Sequence, residues 1–89
     1  MNSNANWVLQ VDDSVCKFLS KIPRQDSERV LRAIQELPQD PFHGDIQKMR
    51  GEINVWRRRI GVFRFRYELI QAGRIIHVFL AERRVSKSY

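Results

Sequence analysis

The sequence has almost no cysteine and no long apolar run. Its single cysteine, Cys16, cannot form a disulfide within the chain or a cysteine-rich zinc site, and we expect it to be a small buried residue on the first helix. No run approaches the roughly 20 apolar residues of a membrane-spanning helix, and no leader with a small-residue cleavage site is evident. These features predict a cytoplasmic protein with no membrane partner. Its 89 residues predict one domain, 1–89, with residues 1–6 frayed.

Common catalytic and metal-binding motifs are also missing from the sequence. We find no glycine-rich phosphate loop, no Ser/His/Asp set and no Cys/His dyad. Of the two histidines, His43 lies in a loop without a cysteine or histidine ligand set nearby, so we expect no metal site. His77 falls within an extended apolar segment, where it would lie beside the sheet core or on the open face. A catalytic role for His77 is the less favoured alternative.

Acidic residues are scarce in the second half of the chain. Residues 46–89 contain eleven basic residues, nine of them arginine, against Glu52, Glu68 and Glu82, a net charge of +8. Residues 1–45 contain five basic and seven acidic residues, a net charge of −2. Arginine is suited to phosphate because its planar head binds two oxygens at once. This asymmetry predicts a polyanion-binding surface; a merely solvated charged face is the alternative.

The periodicity of the apolar residues predicts an α+β fold. Period-two alternation indicates strands, and apolar residues three and four apart indicate amphipathic helices. Asp12 to Ser14 offer helix-capping side chains and Pro23 ends the first helix, while Pro38 and Pro41 follow the second. The predicted elements are a strand at 7–11, a helix up to Pro23, a helix from Arg24 or Asp26 to Leu37, and strands at 55–60, 62–70 and 74–81. An N-terminal strand and two helices should therefore pack on one face of a small, mainly antiparallel sheet in the order β-α-α-β-β-β.

The alternation within the predicted hairpin separates aromatic from basic side chains. In the segment 62–70 one side carries aromatic and apolar residues, and the other side carries Arg64, Arg66 and Glu68. The aromatic side should face the helices, which leaves the arginines on the open face of the sheet. If Trp56 and Ile60 belong to the core, Arg57 and Arg59 join Arg64 on that open face. Arg58 then lies on the core side, where it should reach solvent at the edge or pair with an acidic residue.

The segment Trp56 to Leu69, WRRRIGVFRFRYEL, resembles the central hairpin of the RelE/ParE superfamily, the toxins of bacterial type II toxin–antitoxin pairs. That hairpin carries alternating basic residues, a glycine-containing turn, and then an aromatic residue, arginine and Tyr-Glu. Asp40-Pro41 and Lys48 to Gly51 resemble the D-P and K-L-K-G stretches that precede it, and Glu82 to Arg84 resembles the basic triplet after the last strand. Tyr89 matches a tyrosine of the RNA-cleaving branch. The resemblance extends from Trp7 to Tyr89 and includes the element order.

The resemblance implies a metal-independent endoribonuclease without a cofactor. In that family the 2′-hydroxyl of the RNA attacks the adjacent phosphate, usually in message on the ribosome. The matching positions assign phosphate and transition-state stabilisation to Arg64 and Arg83, and proton transfer or base orientation to Tyr89. Arg57 and Arg59 stand where the family often has lysine, and because arginine does not readily release a proton, the general base stays unassigned. We expect further RNA or phosphate contacts from Arg57, Arg59, Arg66, Arg84, Lys48 and Arg50.

The resemblance also implies partners and leaves alternatives open. A cognate antitoxin should neutralise the toxin, and operator DNA should be bound only through the toxin–antitoxin complex. The ParE branch shares the fold and inhibits DNA gyrase without nuclease activity, so a gyrase inhibitor is the main alternative. A module that binds nucleic acid without cutting it is the other.

Overall fold

The computed structural model describes residues 7–84, which form two helices and a five-stranded mixed sheet. The strand order is β1-β5-β4-β3-β2, and only β1 and β5 are parallel. The elements in chain order are β1 Val8–Val11, α1 Asp13–Leu19, α2 Arg24–Glu36, β2 Ile46–Lys48, β3 Val55–Ile60, β4 Phe63–Ile70 and β5 Ile75–Arg83. The predicted α+β class and the order of the predicted elements are confirmed, with one additional strand, β2. The fraying predicted for residues 1–6 and the role predicted for Tyr89 lie outside the described residues.

Strand β4 shows why one sheet face is covered by the helices. Its alternate residues are buried, beginning with Phe63, Phe65 and Tyr67, while the intervening residues are only half-buried. The apolar side chains of both helices pack on this buried row. The helix residues in that core are Val15, Leu19, Val30, Ala33, Ile34 and Leu37. The aromatic row is therefore the core, as predicted, and the arginine row is left on the opposite, open face.

The hydroxyl group of Tyr67 anchors the loop after α2 to this core. It donates a hydrogen bond to the carbonyl oxygen of Pro41. Burial of the phenol, with a smaller contribution from Asp40, raises the pKa of Tyr67 to about 12. The hydroxyl group therefore stays protonated at neutral pH and acts as a structural donor.

Two features of the fold differ from the sequence expectations. The strand β2 was not predicted, because three residues, Ile46–Lys48, are too few to show an alternation. Cys16 is exposed, so the expectation that it is buried was wrong. The buried side of α1 is formed by Val15 and Leu19, four residues apart, and the residue after Val15 points away from that side. Neither helix within residues 7–84 is long and apolar enough to cross a membrane.

Candidate functional site

Four arginines face one another across the central hairpin on the open face. In the register of β3 and β4, Arg57 lies directly opposite Arg66, and Arg59 lies opposite Arg64. Directly opposed residues of an antiparallel pair point to the same side, with their Cβ atoms about 5 Å apart. Like charges in such pairs destabilise a sheet. The fold therefore tolerates an arrangement that costs stability, which is typical of a binding site.

Two of these arginines have carboxylate partners and one has an amide partner. Arg64 donates from Nε to Glu82 Oε2 at 2.6 Å, and Arg59 donates from Nε to Asp45 Oδ2 at 3.1 Å. Arg57 donates from Nη2 to the side-chain oxygen of Gln47, its neighbour on β2. The Arg64 pair is about one quarter to one third exposed, so it is better shielded than the Arg59 pair. These partners hold the guanidinium groups in place without neutralising the whole face.

Arg57 lies at the electrostatic centre of the open face. Burial lowers the pKa of Arg57, and the charges of Arg64, Arg59, Arg66 and Arg84 lower it further. The Nε atoms of Arg57 and Arg66 are buried and have no hydrogen-bond partner within the described part of the chain. Buried donors without a partner are costly. An oxyanion placed against the guanidinium groups would relieve their mutual repulsion.

The two arginines at the end of β5 lie in different environments. Arg83 is opposite Phe63, on the helix-facing side, and its guanidinium carbon is 5.8 Å from the centre of the Phe63 ring. Arg84 donates from Nη1 to the carbonyl oxygen of Gly61 at 3.4 Å. Its charge is one of those that lower the pKa of Arg57. The structure thus brings the charge of Arg84 near Arg57, and it does not bring the Arg83 side chain there.

The remaining predicted RNA contacts lie beside this cluster or outside the described residues. Lys48 and Arg50 line a shallow groove of about 470 Å³ together with Arg57. The backbone of Lys48 belongs to β2, and its register opposite Trp56 places its side chain toward the helix-facing side. Tyr89 lies outside residues 7–84, so its predicted role stays a prediction. The open side of the sheet thus carries an arginine face, which consists of Arg57, Arg59, Arg64, Arg66 and Arg84.

Arg58 points away from the arginine face, as expected from the alternation in β3. It lies opposite Phe65, on the helix-facing side, and lines a shallow groove between β3 and α2. Its guanidinium group fills the space beside Gly44, where an added Cβ would lie 2.6 Å from Arg58 Nε. Within the described residues it forms no ion pair, so it reaches the edge of the core instead of pairing with an acidic residue.

A histidine bridged by two carboxylates was not predicted from the sequence. His77 Nδ1 lies 2.8 Å from Glu68 Oε2, and His77 Nε2 lies 2.7 Å from Asp12 Oδ1. Hydrogen bonds to Asp12 and then to Glu68 raise the pKa of His77 against the opposing effect of burial. Two acceptors favour the imidazolium, in which both nitrogens donate. Asp12 precedes α1 but makes no side-chain capping bond, because its carboxylate is directed to His77.

The sequence contained part of the signal for this cluster. The alternation in β4 placed Glu68 on the open face, but the partner of Glu68 depends on the register with β5. Asp12 comes from a parallel neighbour more than sixty residues away in sequence, which no local pattern reveals. Across residues 7–84, no group of three or more His, Cys, Asp or Glu side chains is arranged to hold a metal ion.

Comparisons with known proteins identify the fold. No protein-family model and no curated protein matches the sequence. Among solved structures, the isolated RelE toxin of Escherichia coli has a TM-score of 0.78 at 17% identity, with 91% of this chain and 87% of that chain covered. The archaeal RelE–RelB complex of Pyrococcus horikoshii OT3 gives 0.76 at 21% identity, covering 89% and 96%. The YoeB/ParE toxin of Agrobacterium tumefaciens gives 0.70 at 20% identity, covering 88% and 99%. The chain therefore has the fold of the RelE/ParE toxins.

Proposed function

We propose that this chain is the toxin of a type II toxin–antitoxin module and cleaves messenger RNA, on the ribosome, through attack of a 2′-hydroxyl on the adjacent phosphate. The observation that carries the proposal is the arginine face. It gathers five guanidinium groups on one side of the sheet, and only Arg59 and Arg64 of these have carboxylate partners in the described chain. Such a surface suits a ligand with several closely spaced negative charges, as in a single RNA strand.

The chemistry of the arginine face fits transition-state stabilisation. The RNA supplies its own nucleophile, so the protein must mainly neutralise the charge that develops on the phosphorane oxygens. Arg57 and Arg66 lie opposite each other at the centre of the face, and Arg64 is held in a fixed orientation by Glu82. Donors that are positioned before the reaction need no rearrangement as the charge develops. Proton transfer, or orientation of a base, is the role proposed for Tyr89.

The end of β5 supplies one further phosphate contact in this proposal. The prediction from sequence assigned a catalytic role to Arg83, whose guanidinium group lies over the Phe63 ring on the other side of the sheet. Arg84 lies with the arginine face. We expect Arg84→Ala to slow cleavage more than Arg83→Ala, and comparison of the two variants assigns the role directly. Greater loss in Arg83→Ala would show that the Arg83 side chain turns toward the RNA when it binds.

An antitoxin partner is part of the same proposal. Several structural neighbours are complexes of RelE with RelB, including those of Pyrococcus horikoshii and Escherichia coli. For this chain, the complementary partner would be a small protein with an acidic segment that covers the arginine face. Charge complementarity of this kind would speed association and would compete with RNA. Contact with operator DNA would occur through the complex of toxin and antitoxin.

Inhibition of DNA gyrase is the second candidate function. It is favoured by the likeness to a chain described as a YoeB/ParE toxin, which has nearly the same TM-score as the RelE chains. A gyrase inhibitor does not require a cluster of phosphate-binding arginines. Arginine-to-alanine changes on the open face should therefore separate the two functions.

A reconstituted translation reaction tests the proposal. Purified protein is added to programmed ribosomes, message cleavage is followed by primer extension, and gyrase supercoiling is measured in parallel. We expect cleavage by the wild-type chain, at least a 100-fold loss in Arg57→Ala/Arg64→Ala, and no loss in Arg24→Ala. Arg24 is the matched control because its side chain is 91% exposed on α2. Intact message together with inhibited gyrase would contradict the nuclease and favour the second candidate.

A further inference from the structure

A second cleft on the open face adjoins the arginine face. It has a volume of about 370 Å³, within the size range of small-ligand sites. Its lining combines three apolar side chains, Met49, Val55 and Phe79, with four charged ones, Arg50, Glu52, Arg66 and Glu68. Apolar surface together with charged groups can hold a flat polar molecule and fix its orientation.

A β-bulge directs the aromatic ring of Phe79 to this cleft. The register of β4 and β5 shifts between Arg66 and Tyr67, so that Leu80 is paired with Arg66 and Val78 with Tyr67. Phe79 is the extra residue, and its side chain lies on the open face beside His77, with ring centres 5.9 Å apart. Bulges near functional sites commonly redirect a side chain. Here the bulge supplies a half-buried aromatic ring beside the charged side chains of the open face.

Glu68 is held in a fixed position at the rim of the cleft. Its Oε2 atom is bonded to His77 Nδ1, and His77 is held in turn by Asp12. The Glu68 side chain is still 38% exposed, so its carboxylate retains acceptor capacity toward the cleft. Arg66 precedes Glu68 by two residues on the same side of β4, so their Cα atoms are about 7 Å apart. The carboxylate of Glu68 is therefore next to a member of the arginine face.

We infer that this cleft binds one nucleobase of a single-stranded RNA and selects guanine through Glu68. The inference rests on the RNA-cleaving function proposed above and deepens it by naming a specificity determinant. Phe79 offers a stacking surface, which is how proteins bind unstacked RNA bases. Guanine alone presents two adjacent N–H donors, at N1 and N2, on its pairing edge. A carboxylate has only acceptors, so it matches this pair of donors.

The other bases fit the carboxylate less well. Adenine and cytosine each place a ring acceptor beside their amino group, and uracil places its single N–H between two carbonyl oxygens. In each case a Glu68 oxygen would meet an acceptor, which is repulsive. His77 and Asp12 are positioning residues in this scheme because they reach the base only through Glu68. Arg66 binds the phosphate of the same or the next nucleotide and sets the register between the cleft and the arginine face.

Binding of oligonucleotides that cannot be cleaved tests the inference separately from nuclease activity. The probes are fluorescein-labelled 2′-O-methyl uridine heptamers whose central residue is guanosine, inosine, adenosine, cytidine or uridine, and binding is followed by anisotropy. We expect the guanosine probe to bind about tenfold more tightly than the adenosine probe. Inosine lacks the N2 amino group and should lie between them. In Glu68→Gln the preference should fall below about twofold while the all-uridine probe binds as before.

Matched variants keep the test informative. Glu28→Gln makes the same chemical change on the exposed side of α2 and should retain the guanosine preference. His77→Gln should reduce the preference part-way. Phe79→Leu should weaken binding of every probe by about tenfold, because stacking does not depend on base identity. Circular dichroism of each variant confirms that it is folded.

Each outcome bears on the inference in a defined way. Equal affinity for the five probes, with binding still lost in Arg57→Ala, would overturn the base cleft and leave the proposed nuclease standing. A guanosine preference that persists in Glu68→Gln would overturn the role of Glu68. No binding of any probe by the folded wild-type protein would count against both the cleft and the RNA-binding face.

Discussion

Replacement of Arg57 by methionine should stabilise the fold and weaken RNA binding at the same time. Burial and four neighbouring arginines lower the pKa of Arg57, which means that the folded environment disfavours its charge. Methionine keeps the unbranched stem and removes the charge together with the buried Nε that lacks a partner. The free energy of unfolding should rise by about 1 kcal/mol, which is a usual size for a single stabilising substitution. The melting temperature should then rise by about 4–8 °C.

The expected loss of RNA binding is measured by its salt dependence. Each phosphate neutralised on a single strand contributes about 0.7 to the slope of log affinity against log salt concentration. Arg57, Arg66 and Arg84 have no carboxylate partner among the described residues, so the wild-type slope should be about −2 and should approach −3.5 if all five arginines engage. A slope of −2 corresponds to roughly a 16-fold loss of affinity between 50 and 200 mM salt. Arg57→Met should reduce the slope by about 0.7.

The assay is anisotropy of an uncleavable 2′-O-methyl RNA across a salt series, paired with urea unfolding of the same preparations. Arg24→Met is the control, because Arg24 is exposed in an i,i+4 pair on α2. Its free energy of unfolding should change by no more than about 0.5 kcal/mol, and its salt slope should equal that of wild type. An Arg57→Met protein that unfolds more easily would refute the reasoning that the charge of Arg57 destabilises the fold. A variant that keeps the wild-type slope would refute the reasoning that this charge binds phosphate.

Two further predictions concern stability. Tyr67→Phe leaves the buried Pro41 carbonyl without its donor, and it should lower the free energy of unfolding by about 1–3 kcal/mol in urea titrations; an unchanged midpoint would show that this bond contributes nothing. His77 has a pKa raised by Asp12 and Glu68, so its stabilising effect is complete below the unfolded-state pKa of about 6.5 and is lost as pH rises through the higher folded-state value. Thermal unfolding of wild type against His77→Gln should converge at alkaline pH, and curves that stay parallel would contradict the bridge.

The hairpin could be predicted from sequence because its alternation is strict. In β4 every second residue is aromatic or apolar, so a period of two fixes which side is buried without any tertiary information. The same period assigned Arg57, Arg59, Arg64 and Arg66 to one face. Their meeting across β3 and β4 needed only the assumption of a tight turn at Gly61, which has a positive φ of 58°.

The parts of the site that were missed depend on register and on distant partners. The bulge at Phe79 changes the alternation inside β5. A uniform period of two therefore could not predict which side of the sheet Arg83 and Arg84 would face. The bridge from Asp12 to His77 crosses a parallel pair, β1 and β5, that the sequence did not specify. Capping statistics favoured Asp12 as a helix cap, whereas the folded protein uses its carboxylate on the sheet.

Mapping of message 5′ ends in cells after induction tests the central claim most directly. Wild-type protein and the Arg57→Ala/Arg64→Ala variant are induced to equal levels, with Arg24→Ala as the control. New 5′ ends within translated messages should accumulate within minutes for wild type and Arg24→Ala and should be missing from the double variant. Growth arrest with intact messages, or the same new ends in the double variant, would contradict the account that the arginine face cleaves RNA.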